Sequence, residues 1–383
     1  MMRRLALILA LALCEVVTVV RPVRSLPTMI RLGYSDCVTC HYAPQGGGPL
    51  NEYGKGIDEA QSLRGGEYRP RDSKLVRTLS WDGRIAQDLR LVLPMRWTWA
   101  AHEPSDASFL PRLQYRNYTR LPRGFAAHVT ITGESDAVRR PDLSYDPPTT
   151  SSSAFVNIAL LHYRVSQSIE IAGGRDQLPT GVNVPDPRLF IKSRDRVGYY
   201  DTPTQLKVYW ASKRHRVTPF IYGPGGNEKD GEAESGGGAV AEFDVLSNHR
   251  AVIGASALRG HATNGDRRML GLHARLGYGP WGILFQHDIT RRERDDVPDS
   301  FRQQASYAQV FWAPREWLVI SGIGERLSVH DPFEERLSAG ALDVTARLTS
   351  YATIGAAARL QRDVIKDEWS KSFMFQVALK TVY

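Results

Sequence analysis

Apolar side chains occupy every second position along much of the chain from residue 85 onward. The clearest segment carries, at alternate positions, Leu89, Leu91, Leu93, Met95, Trp97 and Trp99. Similar alternation recurs within residues 205–210, 270–278 and 342–348. Because successive side chains of a β-strand point to opposite faces, this period predicts strands with one apolar and one polar face. The pattern therefore predicts an all-β fold for residues 85–383.

The connections between these segments alternate between short and long, and about sixteen strands can be counted. Short connections fall near residues 119–122, 166–167, 213–214, 247–248, 278–280, 313–315 and 348–349. Long ones fall near residues 100–107, 135–152, 176–203, 224–236, 259–266, 291–301, 328–335 and 362–368. Outer-membrane barrels have an even number of antiparallel strands, short periplasmic turns and longer outer loops, a rhythm that a β-sandwich has no reason to keep. We therefore predict an antiparallel transmembrane β-barrel of about sixteen strands, surrounded by outer-membrane lipid.

Aromatic residues and the C-terminus agree with a barrel. Apolar residues on one face of the last strand are Phe375, Val377, Leu379 and Tyr383, although Thr381 departs from that pattern. Aromatic residues at strand ends, which could form girdles at the membrane interfaces or belong to an ordinary core, are Trp97, Trp99, Trp210 and Trp312. The first strand precedes a long connection and the last follows one. Both therefore begin or end on the predicted periplasmic side.

Residues 1–25 are predicted to be a secretory signal peptide. Two arginines at the start are followed by an apolar core over residues 5–20, and Ser25 is a small residue at the expected cleavage position. A lipoprotein attached through Cys14 and an uncleaved membrane anchor are the alternatives. The formal charge of the whole chain is +8 and no basic run stands out, so nucleic-acid binding is not expected.

The run from Cys37 to His41 reads Cys-Val-Thr-Cys-His, which is the C-x-x-C-H spacing that attaches a c-type haem. Each thiol can add to one haem vinyl group, and the adjacent imidazole can ligate the iron. We predict that Cys37 and Cys40 bind one covalent haem c and that His41 is the metal ligand. A dithiol redox pair lacks its usual βαβ context, and a structural zinc site lacks a second cysteine pair. Chance occurrence is the remaining alternative.

Residues 26–74 are predicted to form a small helical cytochrome c-like segment, and residues 75–84 a linker to the barrel. Pro49 suits the first position of a helix, and the following apolar positions at helical spacing are Leu50, Tyr53, Ile57 and Ala60. We expect this apolar face to cover the porphyrin, although it could instead pack on the barrel. The topology places the segment at the periplasmic mouth of the barrel.

The combination resembles the fused outer-membrane cytochrome–porins of iron-oxidising bacteria. The residues that carry the resemblance are Cys37, Cys40, His41, Pro44 and the run Leu50-Asn51-Glu52-Tyr53-Gly54, followed by the barrel. The glycine-rich stretch 45–48 departs from that pattern. Residues 174–193 also look like the constriction-loop region of phosphate-selective porins. The resemblance implies electron transfer across the outer membrane, whereas the residue patterns alone indicate a haem site and a barrel.

Candidates for a sixth iron ligand are few. Met29 lies upstream and could fold back, whereas Met95 shares the apolar face of its strand and should point at lipid. His128 and His273 sit on polar, lumen-facing registers and could reach a haem inserted in the pore, or could be plain lumen residues. A five-coordinate iron is also consistent with the sequence. The predicted lumen face carries an excess of basic residues, which favours anions or chelated metal unless the charges are paired within a filled barrel.

These features support two main functions. The first is an electron-transfer protein of the outer membrane, rather than a conventional enzyme, that passes electrons between an external donor or acceptor and a periplasmic c-type cytochrome. Its external partner would be a redox-active metal or a small redox carrier, so extracellular metal oxidation is one reaction it could serve. The second is a diffusion porin, suited to anions, whose haem segment is a plug or redox sensor. A haem peroxidase ranks last because the haem segment holds one histidine.

Overall fold

The computed structural model describes residues 27–44, 46, 48–65, 78, 80–81, 84–100, 103–109, 111–134, 154–184, 189–198, 200–225, 233–263, 265–294, 301–330 and 334–382. Seventeen strands are present in these ranges: β1 (Ile85–Ala100), β2 (Glu103–Phe109), β3 (Arg112–Arg120), β4 (Phe125–Glu134), β5 (Ala154–Arg164), β6 (Ile169–Arg175), β7 (Thr204–Ala211), β8 (His215–Gly223), β9 (Ser235–Asp244), β10 (Ala251–Ala262), β11 (Gly265–Tyr278), β12 (Trp281–Arg294), β13 (Phe301–Arg315), β14 (Leu318–His330), β15 (Glu335–Thr349), β16 (Ala352–Asp363) and β17 (Glu368–Val382). The described helices are the short 3-10 segments Pro27–Leu32, Cys37–Thr39 and Pro122–Gly124 and the α-helices Glu52–Ala60 and Phe190–Ser193. No helix in the described ranges is long and apolar enough to span a membrane.

The strands form one closed antiparallel sheet. Each strand from β3 onward pairs with the next in sequence, and β17 pairs with β1, with registers that run from Asp88↔Val382 to Ala100↔Ser370. β2 and β3 both pair with β1, at its two halves, so they act as a single strand interrupted near residue 111. The described barrel therefore has sixteen strands around its wall, as predicted.

The outward face of β1 is the predicted apolar one. Leu89, Met95 and Trp99 are each more than two-fifths exposed, whereas Asp88 on the opposite face is buried. Period-two alternation of this kind is what a lipid-facing wall requires, because side chains alternate between the lipid and the lumen. The prediction that Met95 points away from the lumen is therefore confirmed.

The two ends of the barrel differ. At one end, here called the short-turn end, strands are joined by tight connections such as 279–280, 316–317 and 350–351. Aromatic side chains lie in pairs on the outer wall near this end. The Phe125 and Tyr163 ring centroids are 4.7 Å apart, and the stacked Trp281 and Trp312 rings are 5.7 Å apart. Such a band is typical of the interface between membrane and water.

Three connections that were predicted to be long are short in the structure, so these predictions are wrong. β10 and β11 stay paired up to Ala262↔Gly265, and β16 and β17 up to Asp363↔Glu368, so both hairpins are tight. The stretch 100–107 contains the start of β2. In each case strands extend as hydrogen-bonded ribbons beyond the apolar residues. Their polar composition made them look like loops.

One long connection does exist in the described residues, between β6 and β7. Its chain folds inward, and its helix Phe190–Ser193 is entirely buried against β12, β13 and β14. Three further contacts hold it to the wall: the Val182 N–H donates to Gln286, the Phe190 N–H donates to Glu325, and Thr290 donates to Asp195. We call the described residues 176–184 and 189–198 the inner loop. The inward fold agrees with the resemblance to a constriction loop.

The described N-terminal residues 27–65 also lie in the lumen. Ile30 joins the apolar cluster formed by the inner loop and the wall, which includes Leu189, Ile191, Leu284 and Phe311. The 3-10 helix Pro27–Leu32 packs on β11 and β12. Two separate pieces of chain thus occupy the barrel interior, one from the N-terminus and one from the inner loop. We call the described residues 27–44, 46 and 48–65 the plug segment.

Candidate functional site

The predicted haem-binding residues come together on one turn. Cys37–Thr39 is a 3-10 turn, and the Cys37 carbonyl accepts hydrogen bonds from the amides of Cys40 at 3.1 Å and His41 at 2.9 Å. Neither Cys37 nor Cys40 is in a disulfide, and Cys40 is buried. Burial raises the pKa of Cys40 to about 11 and also raises that of Cys37. Both thiols are therefore protonated and unpaired at neutral pH.

A hairpin carries the turn back to the α-helix. His41 forms an antiparallel bridge with Leu50, and the Asn51 amide donates to the Cys40 carbonyl at 2.9 Å. The helix then passes so close to Cys40 that a Cβ on Gly54 would lie 2.1 Å from the Cys40 carbonyl oxygen. Only glycine permits this approach.

Asn51 joins the turn to the helix with both ends of its amide group. Its Oδ1 caps the helix by accepting from the Gly54 amide at 2.8 Å, and its Nδ2 donates to the carbonyls of Val38 at 3.2 Å and Thr39 at 3.1 Å. Capping satisfies a helix N–H that would otherwise be unpaired. The geometry of the cysteine turn therefore depends on a side chain that sequence analysis did not assign a role.

The predicted helix exists, and it contacts the wall through residues other than its predicted apolar face. The helix is Glu52–Ala60, and its buried residues are Gly54 and Asp58, whereas Tyr53 is half exposed. Pro49 precedes the helix rather than starting it, and Asn51 is the N-cap. The helix binds the wall through a charged group rather than through an apolar stripe, which periodicity does not detect. That its other face covers a porphyrin stays a prediction.

Asp58 is the charged group that binds the wall. Its two carboxylate oxygens accept hydrogen bonds from Arg347 on β15 and Lys380 on β17. Burial raises the pKa of Asp58, but these two cations outweigh that effect and hold it below its ordinary value of 3.8. Beside this contact, the Leu63 amide donates to the Arg347 carbonyl at 2.9 Å.

The opposite side of the plug segment binds β8 and β9. Ser35 donates to Asp244 at 3.1 Å, and Arg216 forms an ion pair with Asp36 at 3.0 Å. Burial raises the pKa of Asp36, an effect that Arg216 partly offsets. Gly33 lies against Asn248 in the connection between β9 and β10. These contacts place the plug segment at the short-turn end of the barrel.

The basic excess predicted for the lumen is largely paired. Glu242 binds Arg275 at 2.7 Å and Arg216 at 3.0 Å. Lys207 pairs with Asp176 of the inner loop, and Arg359 pairs with Glu325. Further carboxylates thus come from the plug segment and the inner loop, which the count of strand residues left out. The described charges fit a filled barrel, the alternative that sequence analysis kept open.

Aromatic rings connect the haem motif to the wall formed by β3, β4 and β5. Tyr42, the residue after His41, stacks on Tyr118 with ring centroids 5.3 Å apart. Tyr118 in turn contacts His128 and His162, at centroid distances of 6.1 and 5.8 Å. The two histidines are buried.

The alternation of β4 indicates that His128 faces the lumen, but no comparable signal marks His162 on β5. The reason is a register shift in the pairing of β4 with β5, between Thr130 and Ile131. The shift moves residues of β5 from one face to the other and obscures the period-two signal. The contact of His162 Nδ1 with Glu170, 2.8 Å away across β5 and β6, cannot be read from spacing without that register.

The residues fit a covalently attached haem in their chemistry. Two unpaired thiols lie three positions apart on one turn, and the imidazole follows directly. Gly46 approaches Cys37 so closely that its Cβ would lie 3.1 Å from the sulfur, and Gly46 has a φ of +77° that favours glycine. Among the described residues, no three or more His, Cys, Asp or Glu side chains lie close enough together to hold a metal ion.

Comparison with known proteins bears on the barrel. No family model matches the chain, and no curated protein matches it. The solved structure of OprB from Pseudomonas putida superposes with a TM-score of 0.61 over 80% of this chain and 96% of that one, at 9% identity. The fold is that of a porin-like β-barrel.

Two further structures agree. An anion-selective porin from Comamonas acidovorans has a TM-score of 0.57 over 78% of this chain and all of that one, at 9% identity. A loop-deletion mutant of OmpT, an outer membrane protein of Vibrio cholerae, gives the same score, coverage and identity. At such identity the likeness shows the fold alone.

Proposed function

We propose that this chain is an outer-membrane electron-transfer protein that carries one covalent c-type haem on Cys37 and Cys40, with His41 as the proximal iron ligand. The observation that carries the proposal is the position of the C-x-x-C-H turn. It is a haem-attachment motif with both thiols free, held inside a membrane-type barrel. The short-turn end corresponds to the periplasmic side in barrels of this kind, so the haem would face the periplasm.

In this proposal the haem supplies a one-electron redox centre, and the residues of the chain hold it in place. Asn51 fixes the turn on which both thiols lie. Asp58, with its two cationic partners, fixes the helix to the wall. The rest of the plug segment excludes water from around Cys40, which is buried. A buried, rigidly held site keeps reorganisation small during electron transfer.

The barrel supplies the path to the outside. Its apolar band is about 25 Å tall, so a single haem at one mouth cannot bridge it. The external donor or acceptor would therefore be a redox-active metal or a small redox carrier that enters from the long-loop end. A periplasmic c-type cytochrome would exchange electrons at the short-turn end. Extracellular metal oxidation is one reaction that this arrangement would serve.

A second candidate is a diffusion porin with a haem-bearing plug or redox sensor. The comparisons favour this candidate, because the similar structures include porins, one of them anion-selective. The described lumen weighs against a wide passage, because the plug segment and the inner loop both pack inside it. Conductance separates the two: a diffusion porin conducts small ions freely, whereas an electron conduit need not.

Haem staining of a denaturing gel tests the attachment. Cys37→Ala combined with Cys40→Ala should abolish the stain, whereas Cys14→Ala, in the predicted signal peptide, should leave it. Membrane fractions should contain the wild-type protein, and unboiled samples should run faster than boiled ones. Unstained wild-type protein, or recovery of the protein in the soluble periplasmic fraction, would contradict the proposal.

Proteoliposomes test the function. A membrane-impermeant donor offered at the long-loop side should reduce the haem, and a bilayer recording should show little ion conductance. If the donor reduces haem only from the short-turn side while ions pass freely, the diffusion-porin candidate is correct. Changes of charge in the inner loop should alter the reduction rate if that loop narrows the path.

A further inference from the structure

Four arginines lie side by side on the outer wall, near the end of the barrel opposite the short turns. They are register partners on the consecutive strands β10, β11, β12 and β13, namely Arg259, Arg268, Arg291 and Arg302. All four side chains are exposed. Their strand neighbours Arg267, Thr290 and Gln303 are buried, so the four arginines occupy the outward face. We call them the arginine row.

The arginine row concentrates positive charge that the described carboxylates compensate only weakly. Like charges directly opposite each other on neighbouring strands repel. Asp266 lies 3.4 Å from Arg259, and Glu293 lies 3.6 Å from Arg291. Both pairs are largely exposed, and exposed ion pairs contribute little. Neither pair involves Arg268 or Arg302. The described contacts therefore leave these guanidinium groups available to an external anion.

The arginine row lies about one membrane thickness from the aromatic side chains at the short-turn end. On β11, β12 and β13, about ten residues separate each arginine from the aromatic residue of its own strand, which is Tyr278, Trp281 or Trp312 respectively. A strand advances about 34 Å over that length, and a tilt of about 40° leaves about 26 Å along the barrel axis. The apolar band of such barrels is about 25 Å tall, so the row lies at the far membrane surface.

The wall between the two levels is apolar. Leu270 and Leu272 on β11 are each more than three-fifths exposed, and Phe285 on β12 is more than two-fifths exposed. Leu270 and Ile289 lie two residues from Arg268 and Arg291 on the same outward face. An anion bound to the row would therefore lie directly above lipid-facing side chains, at the level of the lipid headgroups.

We propose that the arginine row binds the phosphate groups of the glycolipid that forms the outer leaflet of the outer membrane. The planar guanidinium group donates two parallel hydrogen bonds to a phosphate, and strands about 4.8 Å apart allow neighbouring arginines to hold one phosphate together. The aliphatic stems can lie along the apolar wall while the charged ends reach the headgroups. The proposal concerns the outer wall and is independent of haem attachment.

Two other arrangements compete with direct binding. Asp266 and Glu293 would hold a lipid phosphate through a divalent cation, and that binding would not need the arginines. The sequence of residues 295–300, outside the described ranges, contains three aspartates. If those aspartates neutralised the row, removing arginines would not weaken lipid binding. Both arrangements thus predict that substitution of the arginines leaves binding unchanged.

Titration of lipid A, the phosphorylated anchor of that glycolipid, tests the proposal. The full-length protein is placed in phosphatidylethanolamine vesicles with increasing fractions of bisphosphorylated lipid A, and the temperature at which the barrel loses its faster gel migration is measured. Lipid A should raise this temperature, whereas dephosphorylated lipid A and inorganic phosphate should not. Arg268→Gln combined with Arg302→Gln should require about 30-fold more lipid A, because each arginine beside an anionic lipid surface contributes about a fivefold preference.

Two further double variants serve as controls. Arg268→Lys combined with Arg302→Lys keeps both charges but loses the paired hydrogen bonds, so its lipid A requirement should lie between those of wild type and the glutamine variant. Arg123→Gln combined with Arg214→Gln removes two exposed arginines at the short-turn end and should behave as wild type. Lipid A should also copurify with wild type from outer membranes in native mass spectrometry, and less should copurify with the glutamine variant of the row.

The outcomes decide between the arrangements. Equal lipid A requirements in Arg268→Gln/Arg302→Gln and Arg123→Gln/Arg214→Gln would overturn the proposal. An equal rise in temperature with dephosphorylated lipid A or with inorganic phosphate would overturn it as well. Binding that disappears when Mg²⁺ is chelated, yet persists in Arg268→Gln/Arg302→Gln, would assign the lipid to Asp266 and Glu293 instead. Faster migration of unboiled samples shows that each variant retains a folded barrel.

Discussion

Tyr42 stacks on Tyr118, with ring centroids 5.3 Å apart and ring planes inclined by 15°. Tyr42 follows the predicted iron ligand His41, and Tyr118 lies on β3, so this contact joins the haem motif to the wall by packing alone. Arg120 also lies over the Tyr42 ring at 5.7 Å from its centroid. The aromatic pair is one of several places where the described plug segment is held, together with Asp58, Asp36 and the 3-10 helix Pro27–Leu32 on β11 and β12.

Tyr118→Ala should weaken the attachment of the plug segment. An aromatic pair is worth about 0.5–1.5 kcal/mol beyond the area that it buries. Hydrogen exchange of residues 38–50 should become faster, while the heat resistance of the barrel stays the same. Tyr163→Ala, which removes an outward-facing ring, is the control and should not change exchange in the plug segment. Unchanged exchange in Tyr118→Ala would show that the stacking contact contributes nothing.

Two substitutions separate the helix-capping role of Asn51 from its role as a donor to the cysteine turn. Asn51→Asp keeps an oxygen that can cap the helix but loses the donor to Val38 and Thr39, whereas Asn51→Ala loses both. Loss of an N-cap costs about 1 kcal/mol, and each lost hydrogen bond to a turn carbonyl costs up to a similar amount. Haem-stained protein per milligram should fall in both variants and fall further in Asn51→Ala. Equal yields in wild type and Asn51→Ala would show that the turn does not depend on this side chain.

Acid should release the helix Glu52–Ala60 from the wall. In the docked state the pKa of Asp58 lies below 3.8, so its contribution is complete above that pH and is lost as the pH falls towards the lowered value. Hydrogen exchange of residues 52–65 should therefore rise steeply below about pH 4. Asp58→Asn should exchange faster at neutral pH and lose this pH dependence. A pH profile identical in both proteins would contradict the role given to Asp58.

Gly48 and Gly279 form a matched pair for substitution. Both have positive φ, +62° and +55°, so alanine costs about 1 kcal/mol of backbone strain at either position. A Cβ at Gly48 would also collide with His128, whereas nothing lies within 4 Å of a Cβ at Gly279. Gly48→Ala should disturb the plug segment more than Gly279→Ala in proteolysis at increasing protease concentration. Equal sensitivity would mean that the hairpin moves away from His128 at no cost.

The inner loop should loosen when its wall contacts are removed. Glu325 accepts from the Phe190 amide at 2.8 Å and pairs with Arg359, so Glu325→Ala leaves the buried amide and the partly buried guanidinium without this partner. Single-channel conductance should increase relative to wild type. Asp88→Ala removes a lumen carboxylate that binds Arg116 at 2.7 Å on another part of the wall, and it should change conductance less. Equal conductance in wild type, Glu325→Ala and Asp88→Ala would show that the inner loop does not limit ion passage.

The wall of the barrel could be predicted from the sequence because lipid imposes a strict rule on it. The alternation of apolar and polar residues predicts that Leu89 and Trp99 face outward, and both side chains are exposed in the structure. The length of connections was less predictable, since Gly265 and Glu368 continue strands whose polar residues look like loops.

The interior followed no such rule. No periodic pattern or neighbouring residue in the sequence indicates that Asp58 binds the wall. Its two partners lie 289 and 322 residues away along the chain. Such contacts depend on closure of the barrel and carry no local period. The motif at Cys37 was predictable because its chemistry is local, whereas the place of His128 beside Gly48 required the fold.

The position of the plug segment sets an order for biogenesis. Cys40 is buried within a lumen whose wall closes where β17, the last of the described strands, pairs with β1. A prosthetic group joined to Cys37 and Cys40 would have to be added while the N-terminal chain is still accessible. The yield of mature protein would then depend on whether attachment occurs before the wall closes. A molecule whose barrel closed before attachment would remain permanently without the prosthetic group.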